Sequence, residues 1–331
     1  MLTAHTKLNF MDIFKKIDVL HLKLGGNIQE FEAGAGLPTN YSDRLSEEIN
    51  LLLNGCGLFD LKACWLIALR GPDAGTFLQG MVTSDVLQLE VGQIHSSLIC
   101  GNKGKIQHHL LILRSHSNQW ILICDPGEGR SVGTLLDNFH VREDLKLSLL
   151  NNEEMLRMDL IGPIADKILE KMGHDSDNFK WLFEGTRVLS SKYDLGKSKR
   201  FINLINFEAI QNFVYNVITF QNVDLISLEA FDLIRVAEGV PRAGIDYSTE
   251  NFPQDLLLTS GQFEKHLRNH SLKFTKLIVK DADENIEYSN GLVRRKASYT
   301  KNTGHVSAVS YTHLRAHETD SYLVCRLRLE K

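Results

Sequence analysis

Charged side chains surround a turn rich in glycine and proline late in the sequence, and their types suit the binding of an anionic ligand. Arg235 and Glu238 precede the turn, Arg242 lies within it and Asp246 follows it. Guanidinium groups form paired hydrogen bonds with carboxylates and phosphates. A second polar segment, residues 83–85, stands near the end of an earlier predicted helix. The same charges also fit a solvated turn between domains, and the pattern alone favours neither interpretation.

Other arrangements that could carry chemistry are excluded by their spacing. Glycines within residues 127–133 precede a predicted helix, but they lack the spacing of a dinucleotide-binding loop. His108 and His109 are adjacent, so in a strand they point to opposite faces and cannot hold one metal ion together. No nucleophile-elbow, zinc-protease or phosphate-loop motif occurs. We interpret Cys100 and Cys124 as inert core thiols, and we assign no catalytic residue.

Length and composition restrict the class of protein. The chain has 331 residues, 43% hydrophobic and 24% charged, which predicts a folded protein of two or three domains. A net charge of −4 argues against nucleic-acid binding through a broad basic face. No long uncharged apolar run predicts a membrane span. The cysteines form no Cys-x-x-Cys pair and the first residues do not resemble a secretory signal, so we predict a cytoplasmic protein.

A strand followed by Gly-Pro and a helix occurs twice. The first copy covers residues 65–81 and the second residues 155–172, with the Gly-Pro pairs at 71–72 and 162–163. Proline in the first turn of a helix costs no hydrogen bond, because the first amide groups have no partner within the helix. Two similar copies predict two similar α+β subdomains.

The remaining patterns favour an antiparallel α+β fold over a parallel doubly wound sheet, because strands are grouped and connections are short. Strands are predicted at residues 93–100, 105–114, 119–124, 200–205, 213–220, 273–280 and 306–309. Helices are predicted at residues 130–140 and 227–238, and a turn at 239–244.

A series of short motifs occurs in the order known from one family. The motifs are Cys56-Gly-Leu-Phe-Asp60, Leu69-Arg-Gly-Pro-Asp-Ala74, Val82-Thr-Ser-Asp-Val86, Gly101-Asn-Lys-Gly-Lys105, Gly162-Pro163, Ile234-Arg-Val-Ala-Glu-Gly-Val-Pro-Arg242 and Phe252-Pro-Gln-Asp255. Over residues 50–255 the sequence resembles the aminomethyltransferase folate-binding superfamily. That superfamily contains the T-protein of the glycine cleavage system and the YgfZ-type folate-binding proteins, which are linked to iron–sulfur enzyme maintenance.

The resemblance implies an α+β fold with two ferredoxin-like-type subdomains and a C-terminal β-barrel, arranged as a cloverleaf around a central folate pocket. The expected parts are a lead-in at 1–49, subdomains at 50–150 and 151–255, and a partial barrel at 256–309. Tetrahydrofolate, or a derivative, is the expected cofactor. The resemblance implies that Arg235 and Glu238 hold its pterin and glutamate parts, with Arg242 and Asp85 in support; paired arginines suit the anionic glutamate.

Residues 104–109 favour the YgfZ-like branch. The T-protein is expected to carry an aspartate pair in this strand, one of which assists attack on the aminomethyl group, whereas this segment has no carboxylate. We therefore predict a tetrahydrofolate-binding protein that assists iron–sulfur protein assembly or maintenance, with client proteins as partners and no nucleic-acid or membrane partner. The branch's Lys-Gly-Cys-Tyr-x-Gly-Gln-Glu signature is absent; only residues 260–264 stand nearby.

Two alternatives stay open. The first is one-carbon transfer to tetrahydrofolate as in the T-protein, which needs a carboxylate at the pterin, for example Asp85. The second is a folate-independent scaffold that retains the fold. From Ser310 the sequence resembles translated sequencing-adaptor sequence, so we expect residues 310–331 to be a non-native tail and the barrel to be truncated. Met11 is a second candidate for the start of the chain.

Overall fold

The structure, a computed structural model, describes residues 15–31, 35–150, 155–173, 180–183 and 186–256, and four short strands between 277 and 308. The chain divides into two compact units. Unit 1 comprises the residues up to Gly80, 86–96 and 109–246, and unit 2 comprises 81–85, 97–108 and the residues from 247 onward. The predicted tail and most of the predicted barrel lie outside the described residues. In the part of the chain that is described, no helix is long and apolar enough to cross a membrane.

A five-stranded sheet carries the first strand–Gly-Pro–helix copy, in the strand order β5-β6-β7-β4-β8. Its strands are β4 (Trp65–Arg70), β5 (Ile94–Cys100), β6 (Ile106–His116), β7 (Gln119–Cys124) and β8 (Lys146–Leu149). Its helices are α3 (Ala74–Met81) and α4 (Gly129–Phe139). Strand β7 pairs antiparallel with β6 and β4, and β4 pairs antiparallel with β8. The elements predicted between residues 65 and 140 are confirmed.

A six-stranded sheet carries the second copy, in the order β10-β11-β12-β9-β3-β13. Its strands are β3 (Cys56–Asp60), β9 (Met155–Ile161), β10 (Lys180–Phe183), β11 (Thr186–Lys192), β12 (Arg200–Asn206) and β13 (Val223–Ile226). Its helices are α5 (Ala165–Lys171), α6 (Phe207–Ile218) and α7 (Leu228–Ala237). Four of its strand pairs are antiparallel and one, β13 with β3, is parallel. The predicted mixed α+β class is confirmed.

The glycines of the two Gly-Pro turns share a positive φ and a close approach to another backbone segment. Gly71 has a φ of 143° and Gly162 a φ of 140°, backbone values that other residues rarely adopt. A Cβ atom on Gly71 would run into the backbone of Asp144, and one on Gly162 would run into the backbone of Gly55. Each glycine therefore lets its strand-to-helix turn pass directly against another backbone segment.

The strand predicted at residues 213–220 is wrong, because most of this segment belongs to α6. Asn206 caps the helix by accepting a hydrogen bond from the amide of Ala209 at 3.3 Å. The buried side chains recur every three or four residues, which is the helical period: Phe207, Ile210, Val214 and Val217. Aromatic and β-branched composition suggested a strand, but burial of one helical face decides the structure.

The lead-in packs onto the six-stranded sheet and covers a buried polar network. It consists of a helix at residues 15–23 (α1), β1 (Gly26–Glu30), β2 (Gly36–Tyr41) and α2 (Leu45–Asn54). The imidazole of His21 lies 2.7 Å from the Tyr41 hydroxyl and 3.0 Å from the Asp60 carboxylate. The Lys62 ammonium lies 2.5 Å from Asp60 and 2.8 Å from Asp18. Every charge at the centre of this network therefore has an opposite partner.

Short strand pairs follow in the C-terminal part of unit 2. A 3-10 helix at Pro253–Leu256 precedes β14 (Leu277–Lys280), β15 (Ile286–Ser289), β16 (Leu292–Arg295) and β17 (His305–Ala308). Strand β14 pairs antiparallel with β17, and β15 pairs antiparallel with β16. Two of these strands overlap the predicted segments 273–280 and 306–309.

Candidate functional site

A cavity of about 240 Å³ opens within unit 1, and all its lining residues belong to that unit. Its wall combines apolar side chains with four arginines, two carboxylates, one histidine and one tyrosine. Small-molecule sites typically have volumes of ~300–1,000 Å³, with apolar walls and a few placed polar groups. The chemistry fits that description, and the volume suits one ring system with the rest of a ligand outside.

Two stacked phenylalanines form one wall of the cavity. The rings of Phe59, on β3, and Phe231, on α7, lie with centroids 5.0 Å apart and planes 29° apart. The guanidinium carbon of Arg200 lies 5.4 Å from the centroid of the Phe231 ring. Such a wall offers a flat heteroaromatic ring an apolar face next to a cation.

Strand register places three charged residues together beside this wall. On β9, Arg157 and Asp159 are two residues apart and so share one face of the sheet. Antiparallel pairing sets Asp159 opposite Ile202 of β12 and opposite Phe59 of β3. Arg200 lies two residues before Ile202 and therefore points to the same face. The sheet thus presents Phe59, both arginines and Asp159 on one side.

The two arginines share a single buried carboxylate. Arg157 donates to Asp159 through Nε at 2.9 Å and Nη2 at 2.7 Å, and Arg200 donates through Nε at 2.8 Å and Nη2 at 2.5 Å. Arg157 is 3% exposed, Arg200 5% and Asp159 0%. Burial alone would raise the pKa of Asp159, but the charges of Arg157 and Arg200 hold it below its ordinary value. Asp125 also lines the cavity, and its negative charge raises the pKa of Arg157.

The structure brings two of the predicted site residues to the cavity, Arg235 and Arg242. Arg235 lies in the last turn of α7 and donates to Asp232 at 2.6 Å, Asp246 at 2.5 Å and the Val240 carbonyl at 3.1 Å. Arg242 donates to the same Asp232 carboxylate at 2.7 Å. Asp232 therefore links both arginines, and Arg242 ties the turn predicted at 239–244 to α7.

The other two predicted residues have different surroundings. The Glu238 carboxylate accepts hydrogen bonds from the Lys197 amide at 2.7 Å and from the Ser198 hydroxyl at 3.1 Å. These contacts hold the turn between β11 and β12, and Glu238 is not among the residues that line the cavity. Asp85 lies in unit 2. The folate-binding roles of all four residues remain predictions.

The cavity wall also contains a histidine that sequence reasoning weighed only as a metal ligand. His109 lies on β6, next to Leu110, which pairs with Cys124 of β7. Its Nε2 atom lies 2.6 Å from the Ser96 hydroxyl. Burial lowers the pKa of His109 below its ordinary value, against the opposing charge of Asp125.

The cysteine prediction agrees with the structure. Burial raises the pKa of Cys100 to about 12 and raises that of Cys124 well above its ordinary value, so neither thiol ionises readily. Within the described residues, no group of three or more His, Cys, Asp or Glu side chains is placed to hold a metal ion.

Sequence reasoning missed Arg157, Asp159 and Arg200, although part of the signal was present. Strand β9 reads Met-Leu-Arg-Met-Asp-Leu-Ile, and all seven residues are buried. Two opposite charges at i and i+2 inside an apolar strand predict a buried ion pair on one face. The position of Arg200 depends on the pairing of β12 with β9, which the local sequence does not specify.

Comparisons with known proteins agree with this fold. The family model described as the GCVT N-terminal domain matches residues 17–188. An aminomethyltransferase of Symbiobacterium thermophilum is 30% identical over 155 residues, which cover 46% of this chain and 41% of that protein. One from Thermoanaerobacter pseudethanolicus is 27% identical over 177 residues, covering 52% and 47%. The chain thus spans less than half the length of these curated relatives.

A solved structure extends the likeness over most of the chain. The glycine cleavage system aminomethyltransferase T from Bartonella henselae superimposes with a TM-score of 0.66 at 19% identity, covering 84% of this chain and 82% of that one. At 19% identity, this structural similarity shows that the two chains share a fold and nothing further. Because the family model matches more than half of the residues, the chain belongs to the GCVT N-terminal domain family.

Proposed function

We propose that this chain binds a folate in the cavity of unit 1. The observation that carries the proposal is the combination, in one wall, of the Phe59–Phe231 stack with four guanidinium groups. A folate has the matching parts, a flat pterin ring and an anionic glutamate. Family membership supports the same ligand class, because the family match over residues 17–188 includes Phe59 and Arg157 of this wall. The motif that resembles folate-binding proteins includes two more wall residues, Arg235 and Arg242.

The arrangement suggests how the two ends of the ligand are held. The pterin would lie against the phenylalanine stack, near the Arg157–Asp159–Arg200 cluster. Arg235 and Arg242 would face the glutamate carboxylates. Arg235 already shares two carboxylates and a carbonyl, so its guanidinium is positioned before any ligand arrives. Positioned donors lose little conformational entropy on binding.

One observation favours the alternative of one-carbon transfer to a folate. Residues 104–109 contain no carboxylate, yet Asp125 and Glu128 both line the cavity. Asp125 follows β7, and its charge acts on His109. A carboxylate beside the ligand can stabilise a developing positive charge or receive a proton. We therefore retain aminomethyltransferase-like chemistry as the second candidate function.

The role in iron–sulfur protein maintenance is a finer proposal that depends on folate binding. It would be tested in cells that lack the chain, by measuring the activities of iron–sulfur enzymes with and without re-expression. Re-expression of an Arg242→Ala variant should fail to restore those activities if the bound folate is required. Full restoration by that variant would separate the iron–sulfur role from the cavity.

The direct test is calorimetric titration of the full chain with tetrahydrofolate and 5-formyltetrahydrofolate. Arg242→Ala should weaken binding roughly 10-fold or more, since hydrogen bonds to charged groups contribute about 1.5–3 kcal/mol. The matched control is Arg142→Ala, an exposed arginine of the same unit that does not line the cavity. Absence of binding by a chain with native circular dichroism would contradict the proposal and favour the folate-independent scaffold. Equal affinities of the two variants would contradict the placement of the folate in this cavity.

A further inference from the structure

One arginine at the end of α7 and one in the turn after it share two aspartates in a closed ring of contacts. Asp232 accepts from Arg235 Nε at 2.6 Å and from Arg242 Nη1 at 2.7 Å. Asp246 accepts from Arg235 Nη1 at 2.5 Å and from the amide of Arg242 at 2.8 Å. All four residues belong to unit 1, and we call them the Arg–Asp ring. Their formal charges cancel, so the ring as a whole offers an anion no net attraction.

The two arginines of the ring differ in how firmly they are held. The Arg235 side chain is 4% exposed, and it donates to the Val240 carbonyl as well as to both aspartates. The Arg242 side chain is 27% exposed, and within the described residues its guanidinium contacts a single carboxylate, that of Asp232. A guanidinium has five N–H donors, so Arg242 retains donors for a ligand. Arg235 is therefore a positioning residue, and Arg242 is the arginine that a ligand can engage.

The contact between Asp232 and Arg242 can be exchanged at little cost. The two side chains are 31% and 27% exposed, and ion pairs of such exposure contribute little to stability, because water solvates the separated charges well. A carboxylate on a ligand offers Arg242 the same kind of charge-assisted hydrogen bond that Asp232 provides. Arg242 lines the cavity, whereas Asp232 does not. One guanidinium can therefore pair with a carboxylate of the protein or with one of a ligand.

We propose that Asp232 is an internal counter-ion that competes with the anionic end of a ligand for Arg242. The ligand class is a flat ring that carries a carboxylate, as in a folate, and in this choice the inference rests on the proposed function. Asp232 lowers the affinity for such a ligand, because binding must either break the Asp232–Arg242 contact or bring a second negative charge close to Asp232. A small anion without a ring gains nothing from the phenylalanine wall, so Asp232 favours ligands that have both parts.

The test compares Asp232→Asn with Glu229→Gln in the full chain. Both substitutions remove one negative charge from α7 and keep the shape of the side chain, but Glu229 is exposed and lies outside the cavity wall. Calorimetry with 5-formyltetrahydrofolate should give Asp232→Asn an affinity roughly 2- to 5-fold higher than that of the unmodified chain, the size of effect expected from a partly exposed ion pair. Glu229→Gln should bind like the unmodified chain.

Two further variants show whether the gain comes from Arg242. Asp232→Asn combined with Arg242→Ala should bind no more tightly than Arg242→Ala alone, because the two side chains act on each other. If Asp232 only holds the turn in place, Asp232→Asn should weaken binding instead, and that result would overturn the inference. Asp232→Ser replaces Asp232→Asn if the asparagine variant lacks native near-ultraviolet circular dichroism, and the same gain is required of it.

A second readout does not require a folate. Phenylglyoxal modifies accessible arginines, and mass spectrometry of the digested chain gives the rate of modification at Arg242. That rate should rise in Asp232→Asn, because the guanidinium loses its carboxylate partner. Arg235 should stay unmodified in both chains, since it is buried and keeps its contact with Asp246. Benzoate, a flat anion, should protect Arg242 at a lower concentration in Asp232→Asn than in the unmodified chain.

The outcomes distinguish this inference from the proposed function. If the unmodified chain binds no folate, the proposed function fails, and protection by benzoate alone decides whether Asp232 competes for Arg242. If folate binds but Asp232→Asn gives no gain, or if the gain persists in the Arg242→Ala background, the folate site stands and our inference is overturned. Absence of protection by benzoate, or equal protection in the two chains, would also overturn it.

Discussion

Removal of the charge on Asp159 should destabilise unit 1 more than any surface ion pair can. Asp159→Asn keeps the size of the side chain but leaves two buried guanidinium groups, Arg157 and Arg200, without the carboxylate they share. Four nitrogen–oxygen contacts of 2.5 to 2.9 Å meet at this group. An asparagine retains one acceptor oxygen and turns an amide donor towards other donors.

The magnitude follows from the burial of all three side chains. One unit-charge pair at about 4 Å contributes ~4 kcal/mol at an effective dielectric constant near 20, and Asp159 forms two such pairs. Relief of the desolvation of the carboxylate offsets part of that loss. Loss of one partner from a buried ion pair generally costs about 3–5 kcal/mol, which we expect here. For a unit of this size the melting temperature should fall by roughly 6–20 °C.

The assay is urea and thermal unfolding followed by near-ultraviolet circular dichroism. The matched control is Asp166→Asn, because Asp166 pairs with Lys199 at 2.6 Å while the two side chains are 33% and 41% exposed. That control should lose less than about 1 kcal/mol. A free energy of unfolding for Asp159→Asn within about 1 kcal/mol of the unmodified chain would refute the reasoning.

Two further predictions concern backbone and pH. Gly71→Ala and Gly162→Ala should each lower the free energy of unfolding in urea by more than about 1 kcal/mol, because both positions combine a positive φ with a close backbone contact. The control is Gly80→Ala in α3, where a Cβ atom meets nothing within 4 Å, so this variant should be neutral or stabilising. Equal losses in all three variants would contradict the steric argument. Burial would raise the pKa of Asp60, but the charges and hydrogen bonds of Lys62 and His21 together outweigh it and lower the pKa to about 2. The resulting stability is present above the unfolded value near ~3.9 and should be lost as pH falls from about 4 to about 2. Urea midpoints across that range should show this loss, and Asp60→Asn should remove it.

The fold was predictable wherever local signals and tertiary packing agree. The repeated Gly-Pro turn at residues 71–72 and 162–163 correctly predicted the helices that follow it, α3 and α5. Residues 213–220 were misassigned because their composition favours strands, whereas the structure buries their apolar positions on one helical face. Propensity is a weak guide when packing opposes it.

The candidate site was less predictable because it depends on contacts between distant segments. Arg235 and Arg242 could be found, since they stand in one charged turn. Asp232 was overlooked, although it lies only three residues before Arg235 and ten before Arg242, because its link to Arg242 depends on how the turn folds back onto α7. Arg200 and His109 needed the strand pairings of β12 with β9 and of β6 with β7, which no local pattern contains.

The cavity wall draws on residues from Phe31 to Gly244, and this spread couples the ligand to the folding of unit 1. A molecule that binds only the folded wall adds free energy of unfolding by mass action, about 2.7 kcal/mol at one hundred times its dissociation constant. Flat anionic metabolites can therefore be ranked by how much each raises the melting temperature of the chain, before any reaction is known. The true occupant should protect the unmodified chain and fail to protect Arg242→Ala.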